Sequence, residues 1–198
     1  MTITVKGGTV VSATALGRAD LRIEGETIAE IGDLEPDGEV VDATGLLVLP
    51  GMVDTHVHLM DPGPTDREDF PTGTSAAAAR GVTTVVEHTH AHPIRSVSEF
   101  DDKRHYLQER SNVDYGLAAH VWPDHIGDIT ELAAAGISFF KIFTCTTHGV
   151  PGLDPFQLRE ALIAIAGAGI GCLIHNEDES LTTSTERRLR EEGRSDPG

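Results

Sequence analysis

The sequence predicts an α/β fold: a partial TIM-type (β/α) barrel of about five βα units, preceded by a small β-sandwich portion. Three observations carry this. Up to about residue 50, short apolar stretches alternate with Gly, Pro and Asp turns; from Met52 onward, strand-like runs alternate with helical segments at intervals of roughly 30 residues; and histidines collect at the ends of those runs.

In residues 1–50, the N-terminal part of the sandwich, strands are expected at 3–5, 9–12, 19–23, 27–31 and 39–42, punctuated by Gly7-Gly8, Gly25 and Pro36-Asp37-Gly38. Residues 51–198 carry the barrel portion, with strands expected at 52–58, 82–87, 113–121, 137–143 and 171–175. Helices fall between them. One is alanine-rich at 74–80 and closed by Gly81; one spans 128–135 before Gly136; one spans 155–167 behind a capping Asp154 with Pro155 in its first turn; and a last runs over about 179–192 before Gly193. A complete barrel has eight strands and typically about 250 residues. Five units therefore leave two open sheet edges, which invites association.

Composition narrows the functional classes. The chain has 198 residues, 39% of them hydrophobic, and 21 glycines, ordinary for a globular domain. A formal net charge of -17 disfavours nucleic acid or an anionic membrane as partner, since both repel such a surface. Only Cys145 and Cys172 occur, the N-terminal residues lack a signal-peptide pattern, and no apolar run reaches the roughly 18 residues of a membrane span; a cytoplasmic location is expected.

The chemistry gathers at the carboxyl ends of the expected strands, where barrel active sites form. His56 and His58 close the first, and their i, i+2 spacing turns both imidazoles to one side of a strand. Glu87-His88-Thr89-His90-Ala91-His92 follows the second, His120-Val121-Trp122 ends the third, Lys141 lies in the fourth and His175 closes the fifth. The pair His56/His58 and His175 read as metal ligands. Histidines 88, 90 and 92 read as loop residues that touch substrate or solvent. Lys141 stands in the apolar strand Ser138-Phe139-Phe140-Lys141-Ile142-Phe143, where an unpaired ammonium is costly, so something must neutralise or pair it.

The stretches Leu49-Pro50-Gly51-Met52-Val53-Asp54-Thr55-His56-Val57-His58-Leu59, Arg67-Glu68-Asp69-Phe70 with Gly81-Val82-Thr83-Thr84, Phe140-Lys141-Ile142-Phe143 and Ile174-His175-Asn176-Glu177-Asp178-Glu179-Ser180 together resemble the cyclic amidohydrolases, namely allantoinase, hydantoinase (dihydropyrimidinase) and dihydroorotase. The resemblance implies two divalent metal ions, zinc first, with manganese, cobalt or iron able to use the same ligands. It implies a metal and catalytic set of His56, His58, a carboxylated Lys141 bridging the two ions, and His175. The implied reaction is hydrolytic opening of a cyclic amide.

Departures from the family pattern shape the expectation further. The family also uses a histidine and an aspartate from later strands, which this sequence does not supply. The leading expectation is therefore a split enzyme, completed by a separate chain that carries the C-terminal barrel half; a fragment of a longer single-chain enzyme and a non-catalytic binding or regulatory subunit are the alternatives. Met60 stands where dihydroorotases place a carboxylate-binding arginine, and His90 stands where an asparagine is expected, so dihydroorotate is disfavoured. Thr146 or His148 stands in for the oxyanion-stabilising tyrosine of hydantoinases. A small cyclic ureide, hydantoin or imide is the expected substrate. Asp54 either orients a ligand histidine or begins the strand, and Glu177 and Asp178 read as carboxylates at a helix start.

Overall fold

The computed structural model describes residues 1–88 and 91–195, and the chain divides into two compact units, Met1–Gly51 and Met52–Gly198. The first unit holds β1 (Thr2–Lys6), β2 (Thr9–Val11), β3 (Leu16–Arg18), β4 (Asp20–Glu24), β5 (Thr27–Gly32), β6 (Glu39–Asp42) and β7 (Leu47–Val48). They form a four-stranded sheet, β5-β4-β1-β6, and a three-stranded sheet, β3-β2-β7. Asp20 locks the first of these from inside: its carboxylate accepts from Lys6 Nζ at 2.8 Å, Gly7 N at 2.8 Å and Leu34 N at 3.1 Å. Those bonds hold its pKa well below the usual carboxylate range. The expected Pro36-Asp37-Gly38 turn needs its glycine, because φ is 67° and a Cβ at Gly38 would lie 2.2 Å from Thr2 O.

Two strands here escape the sequence pattern. The Leu46–Val53 run reads as one apolar block, yet Pro50-Gly51 divides it into β7 and the first barrel strand. β3 contains Gly17 and is exposed throughout, so it shows no alternation.

The second unit follows the βα series: β8 (Met52–Val57), α1 (Phe70–Ala78), β9 (Val82–Glu87), α2 (Val97–Leu107), β10 (Asp114–His120), α3 (Ile129–Ala135), β11 (Phe139–Phe143), α4 (Pro155–Gly167), β12 (Cys172–His175) and α5 (Glu179–Glu191). The five strands lie side by side in sequence order and pair in parallel, as a curled half-barrel sheet. α4 is secured as expected: Asp154 accepts from Gln157 N at 2.8 Å while Gln157 Oε1 accepts from Asp154 N at 3.0 Å. α1 begins earlier than its alanines suggest, because Asp69 caps it by accepting from Thr72 N at 2.7 Å.

α2 has no clear signature in the sequence. Its buried stripe is Phe100, Lys103 and Leu107, and the lysine interrupts the apolar period. The ammonium is tolerated because Lys103 pairs with the fully buried Glu87 at the end of β9, Nζ to Oε2 at 2.5 Å.

Strand alternation separates two faces of the sheet. Leu117, Ala119, Val121, Phe140 and Ile142 pack into the core with Phe70, Phe100, Leu107, Leu132, Ala161 and Ile165 from the helices. The intervening residues of each strand turn to the opposite, inner face.

Candidate metal centre

Register shows which polar groups share that inner face. His120 lies beside Lys141, Lys141 beside Leu173 and Phe143 beside His175, while Gly116 lies beside Val86, two residues before His88. His56, His58, His88, His120, Lys141 and His175 therefore fall on one face at the carboxyl ends of five consecutive strands. Glu87 has the opposite parity and turns toward α2. It belongs to the helix layer, not to the site.

A cavity of about 290 Å³ is lined by His56, His58, Met60, Arg67, Lys141, Phe143, His148 and His175. The metal-ligand set expected from the sequence is thus brought to one cavity, as are Met60 and His148. Met60 and His148 are the non-glycine residues with positive φ among those described, at 54° and 51°, and both line this cavity. Such strain collects where surrounding structure over-determines the backbone, as at ligand sites. Thr146 is exposed, outside the cavity lining, and its hydroxyl accepts from Gly152 N at 3.4 Å. His90 lies outside the described residues. His92 lines a separate cavity of about 700 Å³ with Arg95, Glu99, Lys103, Tyr106 and Trp122.

The electrostatics favour neutral nitrogen donors. Lys141 is 4% exposed, and burial pushes its pKa below the ordinary 10.5. Its Nζ lies 5.2 Å from the centre of the Phe143 ring. The His56 pKa is lowered by burial first, then by Lys141 and His175, with Asp54 opposing. Asp54 acts on the backbone, accepting from His56 N at 3.1 Å. His175 Nε2 lies 3.0 Å from Glu177 Oε1, and the Cys145 thiol points to the same carboxylate at 3.9 Å. Glu177 therefore touches an expected ligand, while Asp178 alone caps α5 by accepting from Leu181 N at 3.0 Å.

His88 departs most from the sequence expectation. It is 1% exposed, its ring centre lies 4.3 Å from that of His56 and 4.5 Å from that of His58, and its pKa is pushed down to about 2 by burial and then by the neighbouring histidines and Lys141. The loop reading fails because the β9 ladder continues one residue further: His88 N donates to Val57 O at 3.2 Å. The signal that could have found it is parity, since His88 and the buried Val86 share a face. Arg67, on the cavity wall, was also not singled out by the sequence.

The model of the dihydro-orotase-like family matches residues 45–145, which spans β7 through β11 and includes His56, His58 and Lys141. The chain belongs to this family. This dihydro-orotase-like chain is 39% identical over 191 residues to an allantoinase of Rubrobacter xylanophilus, covering 93% of itself and 42% of that protein. It is 32% identical to a dihydroorotase of Methanosarcina acetivorans, covering 95% of itself and 41% of the relative. Among solved structures, the L-hydantoinase (dihydropyrimidinase) of Arthrobacter aurescens superposes with a TM-score of 0.90 at 26% identity, over 98% of this chain and 45% of that one. The chain thus spans under half the length of these relatives and corresponds to their N-terminal part. No helix among the described residues is long and apolar enough to cross a membrane.

Proposed function

We propose that this chain supplies the metal-binding half of a cyclic amidohydrolase that opens a small cyclic ureide, hydantoin or imide. The supporting observation is the convergence of His56, His58, the buried Lys141 and His175 on one cavity. In this reading residues 1–50 are the N-terminal part of a β-sandwich and residues 51–198 the N-terminal portion of the barrel. β8 and β12 form the edges of the five-stranded sheet, and Val53 and Ile174 on them are 55% and 40% exposed. The remaining barrel strands, with the further histidine and aspartate of the family pattern, would cover those edges. The free thiols of Cys145 and Cys172 suit the reducing cytoplasm.

The donor set fits two divalent ions, zinc foremost: His56, His58 and His175 would hold them through imidazole nitrogens, and Lys141, once carboxylated, through carboxylate oxygens. Burial favours that modification, because lowering the pKa raises the share of neutral, nucleophilic amine. Its nitrogen adds to the carbon of CO2, an N–C bond forms and one proton leaves. Bound there, the ions supply Lewis-acid polarisation of the scissile carbonyl and activation of water. Glu177, through Oε1 at 3.0 Å from His175 Nε2, orients that ring and leaves Nδ1 for an ion. His148 offers an imidazole donor to the developing oxyanion, and Arg67 offers a guanidinium to a second ring carbonyl. Met60 gives an apolar wall, which suits an uncharged ring better than a carboxylate-bearing one.

Replacing His56 or His175 by Ala is expected to lower metal content and ring-opening activity together, the activity by at least about a hundredfold. Metal analysis beside a hydrolysis assay, on the chain with any polypeptide that co-purifies, checks this. Unchanged metal occupancy in both variants would refute the assignment.

A further inference from the structure

We propose that His88 is a direct ligand of the ion held by His56 and His58, so that β8, β9 and the residues just after them form a three-imidazole metal site. This deepens the metal reading above, on which it rests.

Three independent observations converge. His88 is all but fully buried, and neither of its ring nitrogens has a hydrogen-bond partner among the described residues. A buried nitrogen left unpaired is destabilising, a cost that ligation offsets. One ligand nitrogen from each of His56, His58 and His88 can be chosen so that all lie within 4.8 Å of one another. A tetrahedral zinc site with bonds of about 2.0–2.1 Å places its nitrogens roughly 3.3 Å apart, so modest side-chain rotation closes the set. Finally, the backbone fixes the approach: the bond from His88 N to Val57 O seats His88 between the two paired histidines. A buried core histidine would instead be expected to find a hydrogen-bonding neighbour.

A third imidazole has two consequences. It allows one ion to bind without the Lys141 bridge, and it shifts preference toward zinc and cobalt over harder, oxygen-seeking ions.

The test uses Zn2+ and Co2+ with the 198-residue chain, in whatever form it is purified. Metal-edge X-ray absorption is expected to count three imidazoles on the ion in the Lys141→Ala variant and two after His88→Gln or His88→Phe is added. Zinc affinity is expected to fall at least about tenfold with either His88 change. Histidine side-chain nitrogen NMR of the unsubstituted chain provides the same reading without any variant: the His88 ring nitrogens take the coordination shift together with those of His56 and His58 on zinc addition if the inference holds, and only His56 and His58 of these three do so if it fails. Should His56→Ala lose metal while both His88 variants keep affinity and imidazole count, this inference falls and the reading of the previous subsection stands. Metal binding indifferent to His56 and His88 alike overturns both.

Discussion

Lys141→Ala is expected, on the proposed function, to reduce ring opening by at least about a thousandfold, since several kcal/mol of transition-state stabilisation would depend on both ions being held. Metal content should fall from two equivalents to one, the survivor being the ion at His56, His58 and His88. Lys141→Arg separates the chemistry from the charge. A guanidinium fills this position but offers no neutral amine to CO2, so it should be as inactive as the alanine variant. The side chain is 4% exposed in an apolar strand, between Phe140 and Ile142 of the core layer, and burial already disfavours its protonated form. Removing it therefore leaves no partner stranded, and urea unfolding should show stability unchanged or improved. Activity in Lys141→Arg close to that of the unsubstituted chain would exclude the carboxylated bridge.

How much of this was legible in the sequence follows from which residues obey a period. The expected bounds of β9, β6 and α4 match the observed ones because their patterns or caps are local: Asp154 and Pro155 announce α4 without tertiary help. α2 was not, because Lys103 sits in its buried stripe and becomes intelligible only beside Glu87, which is distant in the chain. The same pairing explains Glu87, which the sequence grouped with the strand-end chemistry although register turns it to the helix side. Lys141 is visible because it stands within an apolar run, and His56, His58 and His175 because they stand just past the end of one. His88 was hidden by Thr89, His90 and His92, which make it look like one member of a polar loop; parity with Val86 holds for it only because the ladder contact with Val57 continues the strand. Thr146 and His148 were equivalent by spacing, and the left-handed backbone at His148, which no residue pattern encodes, accompanies the one that lines the cavity.

Asp61→Ala is expected to cost about 3 kcal/mol of stability, and Asp61→Asn nearly as much. Asp61 is 0% exposed and links three segments: Oδ2 accepts from Phe70 N at 3.0 Å and from Arg110 Nη2 at 2.7 Å, while Oδ1 accepts from Tyr106 Oη at 2.8 Å. It thereby satisfies an end-of-helix N–H of α1 and ties the turn after His58 to α2 and to Arg110 just beyond it. Every partner is a donor. An asparagine has one oxygen, so in either orientation its NH2 group faces a donor, and the usual conservative exchange fails here. Tyr106→Phe removes a single hydroxyl and should cost only about 1 kcal/mol. Thermal unfolding should show the Asp61 variants roughly 6–12 °C lower, with Tyr106→Phe close to the unsubstituted chain. The pH dependence has a definite sign. Burial alone would raise the Asp61 pKa, but the bonds from Phe70, Arg110 and Tyr106 outweigh it and hold the carboxyl below its ordinary 3.8. The folded chain therefore binds this proton less readily than the unfolded one. Its stabilisation is complete above about 3.8 and is lost as pH falls through the lower folded value, so the gap between unsubstituted chain and Asp61→Asn should narrow on acidification below that point. Because Asp61 stands three residues after His58 and directly after the left-handed Met60, the same variants should weaken zinc binding even at temperatures where they remain folded. A stable Asp61→Asn chain with unaltered zinc affinity would show that the buried network does not position the ligand turn.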